Sequence, residues 1–147
     1  MKVMLITFNK LHLTLQNPFT KHCTMKAPRR LYEYIRDQDY VHVTIIGLNR
    51  AKPDSHKYAE LIELLKKYNC KKCLFDYRKG VFEIDVWTAY NRPRIAQKFN
   101  FPIDIKIAAV YKEITENITF NETVFRNQSY SVKVFTEFDL AVKWLES

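Results

Sequence analysis

Residues Ile103–Tyr111 read IDIKIAAVY. Ile103, Ile105, Ile107 and Ala109 alternate with Asp104 and Lys106, the period of two expected of a β-strand with one apolar face. Two other runs repeat the pattern. In Tyr40–Leu48, Val41, Val43 and Ile45 alternate with His42 and Thr44; in Tyr130–Phe135, Tyr130, Val132 and Val134 alternate with Ser131 and Lys133. Between these runs the period changes. Tyr58, Leu61, Ile62, Leu65 and Tyr68 recur at helical spacing behind Pro53-Asp54-Ser55, where Asp54 or Ser55 can cap free N–H groups. Lys66 and Lys67 suit the C-terminal end of that helix, and Asn69 suits a left-handed stop.

The other elements fall into place around these. Leu31–Arg36 and Tyr40–Leu48 flank Asp37-Gln38-Asp39 as a hairpin, and Lys72–Tyr77 is the next strand. After a turn at Gly80, Asp85 can cap a helix that runs to about Phe99, and Pro93 within it predicts a kink or two short helices. Phe120, Val124 and Phe125 mark a short helix that ends near Asn127. Thr136-Glu-Phe-Asp139 is close to a capping box for a last helix with Phe138, Ala141, Val142 and Leu145 as its apolar stripe. The order ββαβαβαβα predicts a single α/β domain: a mixed, mainly parallel five-stranded sheet joined by right-handed crossovers. Strands buried on both faces read as continuous apolar runs, so the alternation predicts helices largely on one face, with the other partly open.

With 147 residues, 47% of them apolar, the chain has enough length for one real core. Only Gly47 and Gly80 are glycine, which excludes Walker and dinucleotide-binding loops. The net charge of +8 is uneven: residues 1–30 hold six basic residues and no acid, and the remainder holds 18 basic and 16 acidic, or +2. A nearly balanced body argues against nucleic acid as partner. The expected division is a basic leader over 1–30 and a domain over 31–147. The leader's apolar stretch Val3–Phe8 is too short for a membrane span and makes no convincing signal peptide. It resembles an organelle transit peptide faintly; the plainer reading is a disordered tail, or a true start at Met25. Three cysteines without a framework spacing point to a reducing, cytoplasmic setting. The sequons at Asn117, Asn121 and Asn127 are discounted, because nothing upstream reads as a secretion signal.

The segments LFDYR (74–78), IKIAAVY (105–111), FNETVFRNQSYSVKVF (120–135) and FDLAVKWL (138–145) resemble the STAS-like (SpoIIAA-like) superfamily, and small stand-alone bacterial proteins within it. The resemblance spans residues 31–147. Its most specific part is the C-terminal third, where Phe120, Glu122, Val124 and Asn127 precede Val134-Phe135, Ala141, Trp144 and Leu145. It implies helices stacked mostly on one side of a sheet, no cofactor, and a non-enzymatic regulatory or protein-binding role. Several members are switched by phosphorylation at the start of the helix after the central strand. Here Gly80–Trp87 carries no hydroxyl before Thr88, so that switch is not expected.

Candidate chemistry is sparse. Cys70 and Cys73 form a lone Cys-x-x-Cys, two ligands where structural zinc wants four, and they lie between a helix end and a strand start. The expectation is no metal, with Cys70 facing solvent and Cys73 facing the core. His12, His22, His42 and His56 are scattered. The better candidate is a rim at the carboxyl end of the central strand, where parallel sheets gather ligands. Asp76, Tyr77, Arg78 and Lys79 leave the strand there, Asp85, Trp87 and Tyr90 open the next helix, and Arg92 and Arg94 follow. An aromatic and cationic rim suits a protein partner or self-association. The bland alternative makes Trp87 and Tyr90 core residues, Asp85 a cap and the arginines a solvated face. The abundant Phe and Tyr also suit a small apolar ligand or lipid.

Overall fold

The structure, a computed structural model, describes residues 28–50 and 55–147. The leader residues 1–27, with His12, His22 and Cys23, lie outside the described residues, as do Pro53 and Asp54. The chain runs β1 (Arg29–Ile35), β2 (Tyr40–Asn49), α1 (Ser55–Lys67), β3 (Lys72–Asp76), β4 (Gly80–Phe82), α2 (Val86–Lys98), β5 (Lys106–Val110), α3 (Glu116–Asn127), β6 (Ser131–Phe135) and α4 (Phe138–Glu146). The first strand starts two residues before Leu31.

The β1–β2 hairpin is antiparallel, and β2, β3, β5 and β6 then pair in parallel in that order. The sheet has six strands where the pattern predicts five. The stretch after Gly80, expected as a plain turn, is β4, which pairs in parallel with the far end of β2. Strand β2 is long enough for two partners on one edge: Val41–Thr44 faces Cys73–Asp76 of β3, and Gly47–Asn49 faces Gly80–Phe82. The two glycines of the chain meet in this register, Gly47 opposite Gly80. A Cβ on Gly80 would lie 2.6 Å from the Gly47 carbonyl oxygen, so the strands approach this closely only without a side chain.

Of the four helices in the described residues, three pack on one sheet face. Val41, Val43, Ile45, Cys73, Ile107 and Ala109 form the strand side of this larger core, and Leu61, Leu65, Ala96, Ile118 and Phe125 the helix side. The other face is half covered. Helix α4 lays Ala141, Val142 and Leu145 against Leu74, Ala108 and Val110 of β3 and β5, and closes a second, smaller core. Strand β5 is thus buried on both sides, as its KIAAV sequence allows. Asp104 precedes the strand, Lys106 opens it and Ile103 lies exposed before it, so the alternation ends where the strand proper begins. The open part of this face lies over the hairpin, where Leu31 is exposed and His42 and Thr44 are half-buried.

Several local expectations change. Helix α2 runs unbroken through Pro93, whose side chain is fully buried against the core. Helix α4 starts behind Glu137, with no side-chain cap bond, so Thr136 does not form the capping box. Cys70 is buried and not solvent-facing, its thiol directed at the carbonyls of Asp39 (3.4 Å) and Lys72 (3.2 Å). Asn69 does adopt the left-handed conformation, with φ 48°.

Candidate functional site

Tyr77 and Tyr111 each directly follow a parallel strand, β3 and β5. The backbone continues the ladder by one bond at each: Tyr77 N–H donates to Val110 O and Tyr111 N–H to Phe135 O. Their rings therefore stand side by side, centroids 4.7 Å apart and planes within 2°. That spacing matches the distance between neighbouring strands. Phe82, brought in by β4, lies 4.7 Å from the Tyr77 ring and 5.7 Å from the Tyr111 ring.

The Tyr77 and Tyr111 rings wall a partly open chamber of about 90 Å³ between the sheet and α1, α2 and α3. Arg92 reaches into it from α2. Its guanidinium lies 5.2 Å from the centre of Phe82 and 5.6 Å from that of Phe125, and one of its N–H groups points at Asn121 Oδ1 at 3.4 Å. Burial opposes the charge on Arg92, but interactions with Tyr77, Tyr58 and Tyr111, which favour the cation most once those phenols ionise, outweigh it and leave the pKa raised. Burial in turn raises Tyr58, and raises Tyr111 well above the usual phenol value, so both phenols are neutral near pH 7. Among the described residues no ion pair includes Arg92. Arg30 and Lys57 also line the chamber, and none of the lining residues is Asp, Glu, His, Cys, Ser or Thr. Among the described residues the chamber thus has cations, amides, phenols and carbon surface, and no nucleophile or carboxylate base. It can hold an anion with an apolar body.

The rim residues do not form one site. Tyr77 turns inward to the chamber. Asp76 turns to the opposite face, where Arg78 donates from Nε to Oδ1 (2.9 Å), from its second guanidinium nitrogen to Oδ2 (2.8 Å) and from its backbone N–H to Oδ1 (3.0 Å). Burial alone would raise the Asp76 carboxyl, but these bonds hold it below its usual value. His42 Nε2 is 3.6 Å from Asp76 Oδ2, and burial lowers the His42 pKa against the pull of that carboxylate. The Arg78 guanidinium stacks over Phe138 at 4.7 Å, and His42 lies 5.4 Å from the same ring. Together they fasten the start of α4 to the ends of β2 and β3.

Lys79 is exposed, and its carbonyl accepts from Gly47 N–H at 3.4 Å. Asp85 is the α2 cap, accepting from Thr88 N–H and Thr88 Oγ1, both at 2.8 Å. Trp87 and Tyr90 are not core residues. Trp87 is 75% exposed, its ring 6.4 Å from that of Tyr90, and Arg94 sits over Tyr90 at 5.0 Å, all on the outer side of α2. Asn121 is buried and Asn117 Nδ2 donates to Ile84 O, so α3 uses two of its sequon asparagines in packing.

The chamber is the part of the site that residue types alone did not single out. Helical spacing held the clue: Ala89, Pro93 and Ala96 form the buried face of α2, and Arg92 sits on its margin. Among the described residues no group of three or more His, Cys, Asp and Glu could hold a metal, and no helix is long and apolar enough to cross a membrane.

The described residues form a single α/β domain with a six-stranded, mostly parallel sheet and four helices. Among solved structures the chain is similar to an uncharacterized protein of the DUF3478 family with a SpoIIAA-like fold from Shewanella loihica PV-4. The two share 15% identity over 81% of this chain and 94% of that one, with a TM-score of 0.48. By sequence, no family model and no curated protein matches.

Proposed function

We propose that this protein is a small-ligand-binding module of the STAS-like type, without catalytic chemistry of its own. One observation carries the reading: a chamber of about 90 Å³ walled by aromatic rings, into which projects an arginine that has no carboxylate partner among the described residues. Apolar pockets with a few convergent polar groups are the usual form of ligand sites. Native mass spectrometry of freshly purified protein tests it. The expected result is a co-purifying small mass, lost on unfolding and restored by incubation with cell extract; a single apo mass under both conditions counts against it.

The outward ridge of Trp87, Tyr90 and Arg94 favours a second reading, a regulatory module that docks on a protein partner or on its own copy. Exposed aromatic and arginine side chains are the residue types that dominate binding hot spots. A pull-down with Trp87→Ala and Arg78→Ala separates the surfaces: loss with the first variant alone supports the ridge, and capture unchanged by both counts against it.

A further inference from the structure

The charge balance inside the chamber limits what can fill it. Among the described residues Arg92 and Arg30 line it, with Lys57 beside them, and no acidic residue does. Arg92 is held between two aromatic faces, its polar neighbours being the Asn121 amide and tyrosine hydroxyls. Arg30 Nε is buried without a hydrogen-bond partner. A buried charge without a counter-charge is costly to the folded state, and a guanidinium presents a fork that fits two oxygens in one plane. The positive wall therefore fits a planar oxyanion better than a neutral molecule.

Volume and surface narrow the class further. About 90 Å³ is less than the ~150 Å³ of an engineered cavity that takes up benzene, which favours a small occupant. Beyond the cations and amides, the walls are the carbon of Leu61, Ile95, Phe101, Ile107 and Val132. A phosphate would leave that carbon unmatched. A carboxylate of two to four carbons places its oxygens on Arg92 and its chain on the apolar wall.

We infer that the chamber is a binding site for a short-chain monocarboxylate, with Arg92 as the residue that recognises the carboxylate. This rests on the reading of the chamber as a ligand site, and the experiment separates the two. Sodium propionate, its uncharged counterpart propionamide and inorganic phosphate are titrated into the purified full chain. Heat of binding and thermal midpoint are followed, with sodium chloride as the ionic-strength control. The expected result is that propionate binds and raises the midpoint, and that propionamide and phosphate bind at least about tenfold more weakly, as for loss of a hydrogen bond to a charged group. Arg92→Gln should weaken propionate roughly ten- to a hundredfold while leaving propionamide nearly unchanged. Equal binding of acid and amide overturns the carboxylate assignment and leaves the chamber as a ligand site. Preferential binding of phosphate or chloride overturns it as well. Binding of neither acid nor amide overturns the carboxylate assignment, and the ligand-site reading then stands or falls with the co-purifying mass. If Arg92→Gln does not fold, the acid-to-amide ratio of the natural protein decides alone.

Discussion

Gly80 has no room for a side chain. A Cβ there would meet the Gly47 carbonyl oxygen at 2.6 Å and that of Ile45 at 3.1 Å, both backbone atoms that cannot swing aside. Gly80→Ala should therefore lower stability by about 1–3 kcal/mol, the usual cost of overpacking. A urea midpoint equal to that of the natural protein would contradict it. Because β4 carries Phe82 onto Arg92, the same variant should also loosen the chamber. Asp76 shows how far single residues could be read. Its place at the carboxyl end of the central strand was legible from LFDYR. Its burial and its bonds to Arg78 were not, because they depend on α4 closing over that strand end. Arg78 was legible as a charge and not as a partner.

At the scale of elements, α4 is the part most dependent on one side chain. Leu145 is 1% exposed and sits at the centre of the smaller core, against β3, β5 and the α4 residues Ala141 and Val142. Leu145→Ala should cost about 2–5 kcal/mol, read as a drop in thermal midpoint. A loss below 1 kcal/mol would mean that the smaller core adds little. The apolar stripe of α4 was plain in the sequence; which face of the sheet it covers was not, since helical period marks a buried side without naming what buries it. Helix α2 is the converse case. Pro93 in isolation predicts a break, yet the helix continues, because the proline ring is packed into the core and burial offsets the lost backbone bond. That continuity keeps Arg92 in phase with Ala89 and Ala96 and so aims it at the chamber.

Across the whole molecule, stability should fall with acid. Burial holds the His42 pKa below its usual 6.5, so its neutral form stabilises the fold above that value. This contribution declines as the pH drops from about 6.5 towards the folded pKa, because the unfolded chain takes up the proton first. Asp76, held below its usual 3.8 by Arg78, adds stability above that value and loses it as the pH falls through its folded pKa. Both slopes have the same sign. Urea unfolding between pH 4 and 8 should show stability declining below about pH 6.5, with a shallower decline in His42→Gln; equal slopes in the two proteins would remove His42 from the account. The alternation of strands and helices, and hence the mainly parallel sheet, was legible along the chain, because periods of two and 3.6 are local properties of the backbone. Three features emerge only on folding: β2 takes two partners on one edge, the named rim divides between two faces and an outer ridge, and an arginine ends among tyrosines. Those are contacts between residues far apart in the chain, and their geometry exists only once the sheet has assembled.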